Sequence, residues 1–530
     1  MVVEASDPGL LRQTARLSFV TALARGLGFA RWIVFGLTVG ANYLGNTYQT
    51  ANWVPNILFE LIAGGVVAWV FVPFFVTELE RGRDRADEVA STLVNILLLL
   101  SVPLVGLGML FAPSVMSLFF AGVEDPVVRA REVELGATFL RFFLPQVPLY
   151  LVGMVARGML NASGRLLMPV LSPAFASGAM IASYVLFSAL GENSDLFTVS
   201  DAQVLVLAAG ATGGVFLWCL VQVIALARTG FRWRSVLLLR DPAVTGALRG
   251  SVHGMGLYAV MQIGLLITLV LANRIPGGVV AFYLAYAFYE LPNALIGFPL
   301  SMVAISPLSR SASKDDSRGF ASLLTQTWRT AALLITPAAA GMAVAAPAIS
   351  RLVFGHGPSP DTSADLVASC MVGLVLGMPA FALSQGIVRT LYARRDTAAP
   401  IAFNGLWVVT YGVAGGVATF VSDARGARAM LIIGAAHALG QWVGLAGGIS
   451  VLSRRVTSWT VGADISFLLR AVGRSVAVGG LAWLVLRWAA DIGDAGSLTV
   501  AALVGILVYG GLLMMSPRDR ESLRSGRGEA

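Results

Sequence analysis

The sequence predicts an all-α, polytopic membrane protein of about 14 transmembrane helices, and three observations carry that expectation. Of 530 residues, 57% are hydrophobic and 12% charged, with mean hydropathy +0.78. Soluble domains carry about 25% charged residues, and a water-facing surface could not accommodate so much apolar area. Apolar runs of about 20 residues recur along the whole chain, each long enough to cross roughly 30 Å of hydrocarbon as a helix. The runs are long and unbroken, unlike the short alternating strands of a membrane barrel.

In chain order the expected spans are 14–38, 49–76, 89–114, 132–158, 166–190, 202–228, 246–273, 278–306, 322–348, 364–391, 398–421, 428–452, 468–490 and 496–515. The N-terminal stretch MVVEASDPGLLRQTAR is polar and acidic, without the basic start and cleavage site of a signal peptide, so span 1 is expected to remain as an anchor. Of 37 basic residues all but Lys314 are arginine, and they collect between spans. That pattern suits charge-directed insertion rather than nucleic-acid binding. With both termini inside, the cytoplasmic side receives Arg81–Arg85, the stretch Arg228–Arg249, Arg310, Lys314, Arg318, Arg394, Arg395, Arg454, Arg455 and the tail arginines. The other side receives 191–195, 355–361 and 490–496, which contain no arginine. The expected location is a membrane, with both termini on its cytoplasmic side.

An internal duplication is visible. Pro148, Leu160, Ala162 and Pro169 recur 231 residues later as Pro379, Leu391, Ala393 and Pro400, and Pro55–Asn56 recurs 237 later as Pro292–Asn293. Partners lie six spans apart, so the halves share one orientation. The expected organisation is a six-helix bundle at 1–228, a second at 229–455, a two-helix addition at 456–515 and a basic cytoplasmic tail at 516–530.

The functional signal is charge inside spans, where an ionisable group facing lipid costs several kcal/mol. Span 1 holds Arg25 and Arg31 in RGLGFAR. Six helical residues separate them by about 9 Å and place them roughly 120° apart, on walls of one cleft. Gly26 and Gly28 allow close approach of a helix or headgroup. Guanidinium groups stay charged when desolvated and grip phosphate oxygens bidentately, which suits a pyrophosphate. The alternative is a structural role, with the arginines paired to Glu60 in span 2 or Glu290 in span 8. Those two acids tune the cavity, neutralise the arginines or exchange a proton. Arg141 reads as structural, and Arg157, Arg329 and Arg389 read as anchors near span ends. In-span prolines gather in spans 2, 4, 8 and 10, and Pro55, Pro148, Pro292 and Pro379 form the expected hinge set for alternating access.

Other chemistry finds little support. Cys219 and Cys370 lie in apolar runs and suggest no disulfide framework, and His253, His356 and His437 make no metal-ligand pattern. A P-loop, a catalytic triad and a long soluble segment are all missing, so neither ATP hydrolysis nor another enzymatic activity is expected, and no cofactor; the coupling ion is left open.

The motifs RGLGFAR at 25–31, TANWVPNILFELIAGGVVAWVFVP at 50–73, LRFFLPQ at 140–146, LNASGRLLMPVLSP at 160–173 and ELPNALIGFPLSMVAISPLSR at 290–310 together resemble the MurJ/MviN lipid II flippases of the MOP exporter superfamily. The PNILFEL and ELPN forms look most like actinobacterial members; the C-terminal kinase-like domain that some of these carry is not expected here. The resemblance implies two six-helix bundles around a central cavity, a two-helix addition forming a lipid groove, and transfer of lipid-linked peptidoglycan precursor to the outer leaflet of the bacterial cytoplasmic membrane without ATP. It places Arg25 and Arg31 on the two span 1 arginines believed to contact the diphosphate. It also marks departures: Asn46 stands for an acid early in span 2, Phe59 and Glu60 for a basic pair, Gly64 for a glutamate and Ala287 for an arginine. The partners implied are lipid II or another polyprenyl-pyrophosphate glycolipid, membrane lipids and cell-wall synthesis proteins. Alternative expectations are a flippase for another such glycan, a drug or cation exporter of the superfamily, and a non-transporting membrane scaffold.

Overall fold

A computed structural model describes residues 8–515 apart from 68–70, 192–194, 314–315, 355–359, 395, 397, 423 and 490–491. Lys314, Arg395, His356, most of 355–361 and the tail 516–530 therefore lie outside the described residues. Every regular element among the described residues is helical. The chain divides into two compact units, residues 1–262 and 263–530.

The first unit contains α1 Pro8–Thr38, α2 Tyr43–Val67, α3 Phe71–Arg81, α4 Arg83–Leu110, α5 Ala112–Phe119, α6 Pro126–Phe143, α7 Gln146–Ala162, α8 Leu167–Leu190 and α9 Asp201–Ala227. The helix α10, Pro242–Ala272, begins in it and ends in the second unit. Local chemistry sets the ends. Asp125 caps α6 by accepting from Val127 N–H at 2.8 Å, with Pro126 in the first turn, and Ser200 with Gln203 forms a reciprocal capping box on α9. A buried aromatic cluster ties α1, α2, α6 and α8. Tyr48 stacks on Phe35 at 5.4 Å between ring centroids, meets Phe143 edge-on at 5.4 Å, and shares a 3.2 Å hydroxyl contact with Tyr184.

Residues 231–238 run non-helically along α4. Their backbone is held by side chains of that helix: Asp87 accepts from Arg232 N–H at 3.0 Å, Ser91 accepts from Arg234 N–H at 3.0 Å, and Asn95 donates to Val236 C=O at 2.9 Å. Arg234 also pairs with Glu88 at 2.6 Å and Asp84 at 2.5 Å, and Arg85 pairs with Asp241. Several arginines assigned to topology thus sit in specific ion pairs. Asp241 lies where burial acts to raise a carboxyl pKa, but hydrogen bonds from Arg85 and the Ala243 amide outweigh it and hold the group below its ordinary value.

The second unit contains α11 Gly278–Pro292, a π-helical turn Asn293–Gly297, α12 Phe298–Ser313, α13 Ser317–Phe354, α14 Pro360–Val375, α15 Met378–Ala393, α16 Ala398–Val421, α17 Gly426–Arg455, α18 Val461–Trp488 and α19 Gly493–Met515. Small residues let α14 and α17 approach closely; a Cβ placed on Gly434 would lie 2.6 Å from Cys370 C=O. The added pair α18–α19 docks on α13: Arg329 pairs with the fully buried Asp464 at 2.8 Å, Arg351 with Asp494 at 3.0 Å, and Tyr509 donates to Leu333 C=O at 2.8 Å. Arg329 is therefore a partner in an interhelical ion pair and not the simple end anchor expected.

Twelve helices among the described residues are long and apolar enough to cross a membrane, or thirteen if the bent pair α14–α15 counts as one span, against the expected count of about 14. Expected span 2 falls on α2, whose first turns hold the buried polar residues Asn46, Thr47, Gln49 and Thr50, and on α3, with 68–70 between them outside the described residues. Spans 4 and 10 are each interrupted. The helix α6 ends at 143 and α7 starts at 146, while α14 ends at 375 and α15 starts at 378, an offset of 232 in both bounds. The α14–α15 bend is 50°.

Candidate functional site

The ionisable residues of span 1 converge on one cavity of about 460 Å³ in the first unit. It is walled by α1, α7, α8 and α9, and Arg25, Arg31 and Arg157 all line it. Arg31 lies one turn before Phe35, which the Tyr48 cluster fixes, so the helix that carries it is anchored. Its Nη1 donates to Met180 Sδ at 2.9 Å, and its guanidinium sits 5.3 Å from the Trp32 ring centroid. The space beside Gly28 is open: a Cβ there would come no nearer than 3.9 Å to Ser177 Oγ. Tyr150 and Trp218 supply an aromatic side to the same space, their ring centroids 5.7 Å apart.

No described carboxylate forms an ion pair with Arg25, Arg31 or Arg157. Three cations line one partly apolar cavity with no carboxylate paired to them among the described residues, a charge set that an anion would match, and guanidinium donors suit several phosphate oxygens at once. Sequence reasoning set Arg157 aside as an anchor. Arg157 lies in α7 and lines the cavity together with residues of α1, α8 and α9.

The other expected site residues lie elsewhere. Asn46 is fully buried in α2 and does not line this cavity. Glu60 is half-buried on α2, close enough to Tyr258 of α10 to act on it electrostatically, and is likewise outside the lining. Glu290 is exposed in α11 and hydrogen-bonded with Tyr286 one turn earlier. Of the hinge prolines, Pro55 lies inside α2 and Pro292 ends α11 directly before the π-helical turn. Pro148 lies in the first turn of α7 and Pro379 in the first turn of α15, positions where a missing N–H leaves no helical bond unmade. The break in span 4 itself falls at Leu144–Pro145.

A buried acid escaped the sequence reading. Glu132 of α6 is fully buried, with Thr47 Oγ1 at 3.4 Å from its Oε1. Nothing in its surroundings in sequence, REVELGATF, distinguishes it from a surface charge. In the second unit an apolar groove of about 420 Å³ runs between α13 and α18, lined by Ala339, Val344, Val476 and Trp483 and reaching Pro379. Among the described residues no three His, Cys, Asp or Glu side chains group as metal ligands.

The family model described as "Lipid II flippase MurJ" matches residues 36–502, most of the chain. The chain belongs to the MurJ lipid II flippase family. The match starts after Arg25 and Arg31, so those two residues rest on the geometry above. Relatives of the MurJ family include a probable lipid II flippase MurJ of Rhizobium meliloti, 29% identical over 75% of this chain and 73% of its own length. Another, from Rhizobium tropici, is 26% identical over 94% of this chain and 92% of its own. Among solved structures, a lipid II flippase MurJ in an inward closed conformation superposes with TM-score 0.77 at 18% identity, covering 96% of this chain and all of that one. An inward-facing multidrug resistance MATE family transporter of the MOP superfamily follows at TM-score 0.63 and 16% identity, over 83% of this chain and 94% of its own. At those identities the likeness shows a shared fold.

Proposed function

We propose that this protein carries lipid II from the cytoplasmic to the outer leaflet of the bacterial cytoplasmic membrane by alternating access, without ATP hydrolysis, and that Arg25, Arg31 and Arg157 hold the pyrophosphate during transfer. The single observation that carries the site is the cavity that Arg25, Arg31 and Arg157 all line, with no described carboxylate paired to any of them. A cationic drug would be repelled by that charge set, and a scaffold would gain nothing from keeping it.

In this reading the arginine-rich segments 81–85 and 228–249 face the cytoplasm together with both termini. Two six-helix bundles, 1–228 and 229–455, alternate access, with 456–515 as an addition and 516–530 as a tail. The polyprenyl chain rests in the apolar α13–α18 groove, whose lining matches hydrocarbon. The 50° bend at Leu376–Gly377, the interruption at Leu144–Pro145 and the π-helical turn after Pro292 are the points at which helices would flex during transport. Asn46, Glu60 and Glu290 act around the headgroup or on coupling rather than as its primary contacts. Cell-wall synthesis proteins are the partners that would supply and consume the substrate.

Complementation tests the reading. A bacterium depleted of its own lipid II flippase should grow when this protein is expressed and fail when the Arg25→Ala variant is expressed at the same level. Growth with Arg25→Ala, Arg31→Ala and Arg157→Ala combined would exclude the cavity as the headgroup site.

A further inference from the structure

A second basic cavity, of about 670 Å³, lies in the first unit where α7 turns into α8 and α9 ends. Arg16 of α1, Arg165 of the α7–α8 turn and Arg228 at the C-cap of α9 line it. It shares no lining residue with the cavity of Arg25, Arg31 and Arg157. None of its three guanidinium groups is in an ion pair with a described residue.

The local backbone fixes this arrangement. Gly164 adopts φ +71°, and the amides of Gly164 and Arg165 donate to the carbonyls of Asn161 and Leu160, closing α7 in a Schellman turn that leaves Arg165 on the cavity. The next helix, α8, starts after Leu166, which offers no side-chain acceptor, so the amides of Leu167 and Met168 add their dipole ends to the same space. The remaining wall is apolar: Phe175, Val221 and Ile224 line it, and Phe175 and Ile224 are 43% and 42% exposed on helices long enough to cross a membrane.

A cationic end with oriented amides and a lipid-facing apolar wall match the two halves of one amphiphile. We propose that this cavity binds an anionic phospholipid, its phosphate held by Arg16, Arg165 and Arg228 and an acyl chain lying along Phe175, Val221 and Ile224. A soluble phosphate would have no use for the apolar wall. The site shares no lining residue with the cavity of Arg25, Arg31 and Arg157, and only the undecaprenyl pyrophosphate control rests on the proposed function. Occupancy would tie Arg16 of α1 to the start of α8 and the end of α9, linking the carrier of Arg25 and Arg31 to the composition of the membrane.

Native mass spectrometry of the purified full chain with phosphatidylglycerol or phosphatidylethanolamine tests this. The wild type should retain phosphatidylglycerol about tenfold more tightly than phosphatidylethanolamine. The variant R16Q/R165Q/R228Q should lose that preference while keeping its melting temperature and its binding of undecaprenyl pyrophosphate, and R16K/R165K/R228K should keep part of it. An unchanged preference in the glutamine variant overturns the proposal, as does a wild type that does not distinguish the two lipids. Loss of undecaprenyl pyrophosphate binding instead would assign the cavity to the transported substrate and overturn it too. A photoactivatable phosphatidylglycerol needs no variant: cross-links to α8 and α9 around Phe175 and Ile224 are expected, and labelling confined to other helices contradicts the site.

Discussion

Arg31 donates to Met180 Sδ at 2.9 Å, so the guanidinium of α1 meets a thioether of α8 where a carboxylate would neutralise it. A sulfur is a weak acceptor and leaves the charge available. This contact is not the carboxylate pairing that a purely structural role for Arg31 would use. Glu60, the first acid within an expected span after Arg31, forms no ion pair with it among the described residues.

The first prediction concerns the form of the charge. Arg25→Lys and Arg31→Lys should each retain partial transport, because a point charge replaces a planar fork, whereas the alanine variants should fall by about tenfold or more. Arg157→Ala should behave like the other two alanine variants. Initial transport rates in proteoliposomes, at matched protein content, check all five.

Docking of the last two helices depends on Asp464. Its carboxylate is fully buried and accepts from Arg329 Nε at 2.8 Å, Thr325 Oγ1 at 2.9 Å and Trp459 Nε1 at 2.7 Å. Asp464→Ala strands those donors and should cost about 3 kcal/mol. Thermal unfolding in detergent should show the loss, together with faster proteolysis between α17 and α18. An unchanged melting temperature would mean that α18 is held by its apolar face alone.

Close helix approach makes Gly434 intolerant of a side chain. The methyl of Gly434→Ala would meet Cys370 C=O at 2.6 Å and the Leu374 amide at 2.9 Å, so α14 and α17 must separate. The expected penalty is about 1–3 kcal/mol. Gly416→Ala, with nothing within 4 Å of its added carbon, serves as the neutral control in the same melting experiment.

The non-helical segment after α9 should loosen in acid. Asp241 is held below its ordinary carboxyl pKa, so its contribution is fully present above the unfolded value of about 4 and disappears as pH falls through the folded value. Hydrogen exchange of residues 231–241 should therefore rise below about pH 4 in the wild type. Asp241→Asn should show the faster exchange already at neutral pH. Equal protection of the two proteins at pH 7 would contradict the role of the Arg85–Asp241 pair.

Burial of Glu132 makes the opposite kind of prediction. Its carboxylate is fully buried and meets only a distant hydroxyl, Thr47 at 3.4 Å. Glu132→Gln keeps the shape and an acceptor and is neutral without a proton, so it removes any cost of placing a charge in this buried site. The variant should match or exceed wild-type stability at pH 7, and a fall in melting temperature would show that the ionised form is held by contacts beyond Thr47.

Hydropathy made the long helices legible: the run 398–421 coincides with α16, and 428–452 lies within α17. Periodicity could not locate the interruptions. Leu144–Pro145 and Leu376–Gly377 sit in runs whose apolar character continues through the break, and the π-helical turn Asn293–Gly297 leaves hydropathy unchanged. Arg25 and Arg31 stood out because charge inside hydrocarbon is costly. Arg157 and Arg329 did not, because proximity to a span end gives the same pattern for a snorkelling side chain, a cavity wall and an ion pair. Their roles depend on the neighbouring helix, and one sequence carries no information on which helix that is.

The most direct measurement is leaflet exposure of lipid II in cells that depend on this protein, comparing the wild type with the Arg25→Ala/Arg31→Ala variant. With the wild type, labelled lipid II should become accessible at the outer surface, and with the variant it should accumulate on the cytoplasmic side at equal protein abundance. Equal outer-leaflet exposure in the two strains would contradict headgroup capture by the span 1 arginines.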